Sequence, residues 1–353
     1  MSKFWSEIVH LTDPYVPGEQ PKQQNIIKLN TNENPYPPSP KVLAALREGA
    51  NEYLRLYPSP TVDELLQAAA KQFAVSPDQV FVGNGSDEVL AFAFLAFFTK
   101  GEVIRFPDIT YSFYSVYAKL YGLEYEEVPL LPDFTIPVEQ FFDSEGGVIF
   151  PNPNAPTGVY LPLAAVEEVL VHNPNKVVII DEAYIDFGGE SAIRLINQYD
   201  NLLVIQTLSK SRSLAGLRIG FAFGNKELIE GLNRIKNSFN SYTIDRLAII
   251  GAVAALEDTV YFAETREKII CSREKVAAQL QLLGFTILES KANFLFIKHN
   301  LLPAEVLYTK LKEKGIFVRY FNKPRICEYI RLTIGNEEEM DRFIHEVKVI
   351  LHT

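Results

Sequence analysis

Between about residue 40 and residue 225 the chain repeats one unit, a short continuous apolar run of β type followed by a helical pattern. The runs are Gln79–Gly83, Glu102–Phe106, Gly147–Phe150, Lys176–Ile180, Leu202–Gln206 and Ile219–Phe223; the helical patterns include Thr61–Phe73, Asp87–Phe98 and Pro162–His172. A strand that is apolar at every position has both faces covered, and alternation with helices is how a parallel sheet acquires that cover. The pattern therefore predicts an α/β fold built on a mostly parallel, helix-covered sheet. The first forty residues are Pro- and Asn-rich and end in Leu29-Asn30-Thr31-Asn32-Glu33-Asn34-Pro35-Tyr36-Pro37-Pro38. They read as an extended arm, because each proline biases its predecessor away from helix. After a helical stretch at Leu247–Leu282 the pattern changes to strands at Phe285–Leu288, Phe294–Lys298, Phe317–Tyr320 and Tyr329–Ile334, with helices at Pro303–Lys314 and Glu337–Leu351. The expected organisation is an arm over 1–40, a large α/β domain over 41–240 and a smaller α+β domain over 241–353.

Composition narrows the function. A chain of 353 residues, 47% apolar, has material for about two cored domains. Its net charge of −10 argues against nucleic acid or an anionic membrane as the main partner. The longest apolar run, Val89–Phe98, is about half a membrane span. Met1 to Glu7 lacks the long apolar segment of a signal peptide. Two cysteines and five scattered histidines give neither metal-ligand spacing nor a disulfide framework. A cytoplasmic enzyme without a metal is the expectation.

Three places carry chemistry. Gly83-Asn84-Gly85-Ser86-Asp87-Glu88 joins a strand to an apolar helix, and such a turn offers free backbone N–H groups and the positive end of a helix dipole to a phosphate. The plain alternative is a capped βα turn with Ser86 or Asp87 as N-cap. Asp181, in Ile180-Asp181-Glu182-Ala183-Tyr184, directly follows a buried strand, at the edge where open α/β sheets bind ligands. Lys210, in Thr207-Leu208-Ser209-Lys210, emerges past the next strand, with Arg218 eight residues on. Alone, each has an ordinary reading as a cap or a solvated surface group. Asp181 and Lys210 are 29 residues apart, which suits one crossover through a helix near Ala192–Gln198 and puts both at the same sheet edge. A lysine able to form a Schiff base, an acid for a pyridine nitrogen and a phosphate-binding turn are the parts of a pyridoxal phosphate site. Tyr111 and the rigid turn Phe150-Pro151-Asn152-Pro153-Asn154-Ala155-Pro156-Thr157-Gly158 also follow strands at that edge.

With these motifs in order along most of its length, the chain resembles the fold-type I, pyridoxal-phosphate-dependent aminotransferases, most specifically at Thr207-Leu208-Ser209-Lys210, Leu214-Ala215-Gly216-Leu217-Arg218 and Asp181-Glu182-Ala183-Tyr184. The resemblance implies that Lys210 carries the cofactor, that Asp181 meets its ring nitrogen and that Tyr184 lies near its phenolic oxygen. It implies Tyr111 stacked on the ring, and Gly85, Ser86, Asp87, Ser209 and Arg218 around the phosphate. The family is dimeric with shared sites, which implies that Tyr57 reaches the partner's cofactor phosphate. The family commonly has an asparagine immediately before Pro-Thr-Gly; here that residue is Ala155, and Asn154 is the nearest substitute.

Phe317-Val318-Arg319-Tyr320 and Tyr329-Ile330-Arg331-Leu332 read as two arms of a hairpin. Symmetry about Arg325 makes Arg319 and Arg331 cross-strand neighbours, and like charges directly opposite make sense when an anion neutralises them. Two arginines splayed into solvent is the plain alternative. With the resemblance, Tyr15, Arg319 and Arg331 become the group that recognises a substrate phosphate, and Asn32 lies near the amino-acid end. The expected reaction is transamination of L-histidinol phosphate with 2-oxoglutarate, in histidine biosynthesis. An aromatic amino-acid aminotransferase and a threonine-phosphate decarboxylase are the rivals on the same fold. A non-catalytic effector-sensing module is the rival of another class, disfavoured by the acidic charge and the lack of a basic helix-turn-helix extension.

Overall fold

A computed structural model describes residues 2–15, 18–21 and 25–352. Among them the strands are β1 (Ile27–Leu29), β2 (Val80–Asn84), β3 (Ile104–Pro107), β4 (Tyr125–Val128), β5 (Val148–Pro151), β6 (Val178–Asp181), β7 (Leu202–Thr207), β8 (Ile219–Gly224), β9 (Phe285–Ile287), β10 (Phe294–His299), β11 (Ile316–Tyr320) and β12 (Ile330–Thr333). They form a seven-stranded sheet ordered β2-β8-β7-β6-β5-β3-β4 and a five-stranded sheet ordered β1-β11-β12-β10-β9. In the larger sheet β4, β3, β5, β6 and β7 run parallel, while β8 is antiparallel to both its neighbours.

The central strands are buried at every position, and apolar up to their carboxyl ends, because each face has its own core. Val178 and Ile180 of β6 pack with Phe150 and Val204 on one side, and Ile179 packs with Ile149, Leu203 and Ile205 on the other. Each such side chain contributes about 2 kcal/mol by leaving water. Apolar side chains on helices Pro40–Gly49, Asp63–Phe73, Leu163–Val171 and Arg246–Glu257 cover the first face. Helices Gly85–Phe97, Phe113–Tyr121 and Lys226–Phe239 cover the second. The five-stranded sheet packs against helices Thr259–Leu282, Ala304–Glu313 and Glu337–Leu351 around a separate core. The last helix begins at a capping box between Asn336 and Glu339, with three glutamates in its first turn to meet the helix dipole.

Three expectations need correction. The segment near Ala192–Gln198 forms only a short 3₁₀ turn, Ala192–Leu195, capped by Ser191. The stretch Leu247–Leu282 is two helices, since Asp258 ends one and starts the next. The arm is not only an extended tether: β1 pairs in parallel with β11, Ile27 opposite Ile316, and so becomes the edge of the smaller sheet. Among the described residues no helix is long and apolar enough to cross a membrane.

Candidate active site

Asp181 is the last residue of β6, and Lys210 lies three residues beyond the end of β7. The two strands are adjacent and parallel, so both side chains emerge at one carboxyl edge. A cavity of about 490 Å³ opens there, lined by Asp181, Tyr184, Lys210, Ser86, Asp87, Tyr111, Ser209 and Arg218 from the larger sheet and its loops. Arg319 and Arg331 from the smaller sheet close it, with Tyr15 and Asn32 of the arm.

Burial pushes the Asp181 carboxyl up to about 6; the Tyr114 hydroxyl, donating to Oδ2 at 2.9 Å, and the Ala183 N–H oppose that rise. A carboxylate placed so is stabilised by a cationic partner, and a protonated ring nitrogen is one. Lys210 is half-buried, and its Nζ donates to the Thr31 carbonyl at 3.1 Å. Beside Asp181, the Glu182 carboxylate accepts from Ser191 Oγ at 2.5 Å, Ala192 N at 2.6 Å and Gln206 Nε2 at 2.9 Å. Burial pushes Glu182 up to about 7. Its folded value lies above the unfolded one, so its contribution is full at low pH and falls as pH rises through about 7. Unfolding of the ligand-free protein is expected to show Glu182→Ala less stable by about 3 kcal/mol, because two buried donors and the partly buried Ser191 hydroxyl lose their acceptor. Glu182→Gln is expected to gain on the wild type as pH rises from 5 to 8; a constant difference across that range would refute the assignment.

The helix Gly85–Phe97 starts directly after β2. Gly85 has φ +79°, and a Cβ there would lie against Nη2 of Arg218. Gly220 of β8 faces Gly83 across the ladder, and a Cβ on it would overlap the Gly85–Ser86 peptide. The two glycines thus let a helix N-terminus, a strand and a guanidinium converge. With the hydroxyls of Ser86 and Ser209 also at the cavity, the cradle suits a phosphate dianion. Asp87 accepts from the Tyr111 hydroxyl at 2.8 Å and pairs with Arg218 at 3.1 Å, fixing both groups at the wall.

At the opposite end Arg319 and Arg331 are direct partners between β11 and β12, the register expected from symmetry about Arg325. Arg331 donates to the Asn30 carbonyl at 3.0 Å, while its buried Nε has no protein partner. Burial lowers the proton affinity of Arg331, Tyr184 works against that, and Arg319 adds to it. Two close cations with an unused donor suit an anion. The Tyr15 ring stacks on Phe113, centroids 4.3 Å apart, at the cavity wall.

The model of the class I and II aminotransferases matches residues 24–347. The chain belongs to that family. This aminotransferase is 58% identical over 351 residues to histidinol-phosphate aminotransferase 1 of Oceanobacillus iheyensis, covering 99% of each chain. It is 56% identical over 348 residues to the histidinol-phosphate aminotransferase of Clostridium acetobutylicum, again over 99% of each. Its fold matches the crystal structure of histidinol-phosphate aminotransferase from Sinorhizobium meliloti in complex with pyridoxal-5'-phosphate, with TM-score 0.91 and 23% identity over 100% of this chain and 98% of that one.

Two of the expected residues lie elsewhere in this aminotransferase. Asn154 does not line the cavity: its Nδ2 donates to the Ile109 carbonyl and to Thr157 Oγ1, each at 3.0 Å, while its buried Oδ1 has no protein partner. Tyr57 is 78% exposed and stacks on Tyr242, outside the cavity of its own chain. Asn32 is buried, and its Nδ2 donates to the Tyr184 hydroxyl at 3.0 Å. Sequence reasoning overlooked the Thr31 carbonyl, Asn34 and Tyr114. Asn34 holds the lysine loop by donating to the carbonyls of Lys210 and Ser211, at 3.0 and 3.2 Å. Tyr114 had a signal: Tyr111, Tyr114 and Tyr117 recur every third residue, and their hydroxyls bond Asp87, Asp181 and Asp87 respectively.

Proposed function

We propose that the cavity binds pyridoxal 5′-phosphate and that the enzyme transfers the amino group of L-histidinol phosphate to 2-oxoglutarate, giving imidazole-acetol phosphate and glutamate. The observation that carries this reading is the placement of Asp181 and Lys210 on neighbouring strands, between a glycine-bounded phosphate cradle and a facing arginine pair. The names of the full-length relatives support it. When bound, the cofactor supplies an electron sink that acidifies the Cα–H of an attached amine.

The residues divide the work. The N-terminus of helix Gly85–Phe97 with Ser86, Ser209 and Arg218 holds the cofactor phosphate, and Tyr111 forms the stacking wall. Asp181 keeps a proton on the ring nitrogen. Tyr184 donates to the ring oxygen. Lys210 would anchor the cofactor through its amine and, when that amine is free, would move the proton at the substrate Cα. Arg319, Arg331 and Tyr15 hold the substrate phosphate, and the same arginines receive a carboxylate of glutamate in the second half-reaction. Residues 41–240 supply the cofactor groups, 241–353 the arginines and 1–40 the covering arm. We assign a cytoplasmic homodimer. Tyr57 is exposed, stacks on the exposed Tyr242 and follows exposed Tyr53, Leu54 and Leu56 in the chain, which suits contact with a second copy and with that copy's cofactor phosphate.

Absorbance of the purified enzyme tests the reading. Histidinol phosphate added without a keto acid is expected to bleach the visible band of the lysine-bound cofactor, and 2-oxoglutarate to restore it. A response to phenylalanine or threonine phosphate instead would move the substrate assignment. No band after adding pyridoxal phosphate would overturn the cofactor reading.

A further inference from the structure

Asn32 has φ +57°, a left-handed conformation, and all its polar groups are engaged. Its N–H donates to Thr333 Oγ1 at 3.0 Å, and the Thr333 hydroxyl donates back to Oδ1 at 3.0 Å. Its carbonyl accepts from Asn293 Nδ2 at 3.0 Å, and its own Nδ2 donates to Tyr184 Oη at 3.0 Å. Thr333, Asn293 and Asn32 are all buried. The order of donors along this chain has a chemical consequence. Thr333 Oγ1 accepts from a backbone N–H, so its single hydrogen goes to Asn32 Oδ1, and that leaves the amide NH₂ turned to Tyr184. Tyr184 Oη is then an acceptor on the protein side, and it donates to no protein acceptor among the described residues. Its hydrogen is free for the cavity that the ring lines.

Given the cofactor reading above, we propose that Thr333 and Asn293 are positioning residues that act through Asn32 to hold Tyr184 as a hydrogen-bond donor to the cofactor's ring oxygen. Without Thr333 Oγ1 the Asn32 amide can turn over and present its oxygen. Tyr184 would then donate to Asn32 and be lost to the cofactor. Thr333 stands two residues beyond Arg331 on β12, on the same face, so one strand serves both ends of the cavity. The charged and titratable groups around Tyr184 stay in place in a Thr333 variant. They are Lys210, with Nζ 5.8 Å from the ring centroid, Arg331, and Tyr114 with its partner Asp181.

The test is a pH titration of the visible absorbance of the holoenzyme without substrate. A donor to the ring oxygen favours its ionised form, so losing that donor moves the midpoint upward. Tyr184→Phe sets the reference shift, expected to be about one pH unit, the worth of one hydrogen bond to a charged group. Thr333→Val is expected to reproduce most of that shift, and Thr333→Ser to restore the wild-type midpoint. Thr333→Ala, which removes the same Oγ1, is expected to match Thr333→Val and serves where the valine variant does not fold. Asn32→Gly, which removes the competing amide oxygen and keeps the left-handed backbone, is expected to shift the midpoint less than either. A shifted Tyr184→Phe beside unshifted Thr333→Val and Thr333→Ala overturns the relay and leaves the cofactor reading standing. A midpoint unmoved in Tyr184→Phe itself overturns the relay together with the assigned role of Tyr184.

Discussion

Lys210→Ala is expected to lower transamination by about 10⁴-fold or more, the largest effect of any single substitution in this enzyme. One side chain performs two tasks that nothing nearby can take over. It supplies the amine that anchors the cofactor, and it is the mobile base above the edge where Asp181 ends β6. Its backbone is clamped by Asn34, and its Nζ rests on the Thr31 carbonyl, so the amine is held ready on the arm side of the cavity. Because the side chain is only half-buried, the variant is expected to unfold within about 1 kcal/mol of the wild type. Rapid-quench measurement of a single half-reaction, with denaturant unfolding alongside, separates chemistry from folding. Turnover near the wild-type rate would remove Lys210 from the mechanism.

The second large effect belongs to the arginine pair and has opposite signs in two experiments. Arg331→Gln is expected to reduce kcat/KM for histidinol phosphate by about 10²-fold, since a charge-assisted contact to a desolvated anion contributes on the order of 3 kcal/mol. Arg319→Gln is expected to weaken catalysis less. It is also expected to raise the stability of the ligand-free protein by about 0.5 kcal/mol, because it relieves repulsion between directly opposed like charges. The double variant is not expected to be the product of the singles, since the two groups face each other and share one anion. Steady-state kinetics with unfolding of the same preparations reads both signs. An Arg319→Gln protein that is destabilised and fully active would show that the pair is structural.

Much of this was legible because burial on both faces writes itself into composition. β5, β6, β7 and β8 are buried throughout and apolar along most of their length, and were found to within about two residues at each end. β4, with sequence Tyr-Glu-Glu-Val, escaped notice because it lies at the sheet edge with its glutamates in solvent. β1 escaped because three residues carry too little periodicity, and its partner β11 is almost three hundred residues away. Asp181, Lys210 and the Arg319–Arg331 register could be read because strand ends and hairpin symmetry are local arithmetic. The Thr31 carbonyl, Asn34 and the Thr333–Asn32 bonds could not: a backbone carbonyl has no sequence signature, and these contacts join segments between 176 and 301 residues apart. The orientation of Asn154 depends on a similar detail. A one-residue shift along an extended turn reverses the side chain, and here it turns towards the Ile109 carbonyl.

The connection between β11 and β12, residues 321–329, contributes only the Phe321 ring at its base to the cavity, and Asn322 to Arg325 are exposed. Its tip is tied down by Arg325 on Asp108 at 2.8 Å. Surface connections of this kind ordinarily accept insertions and deletions. This one sets which residue of β12 stands opposite Arg319, and side chains change face at every step along a strand. Adding or removing one residue would carry Arg331 away from the cavity and Thr333 away from Asn32 together. The expectation for relatives with the same chemistry is a connection whose residue types drift freely while its number of residues does not.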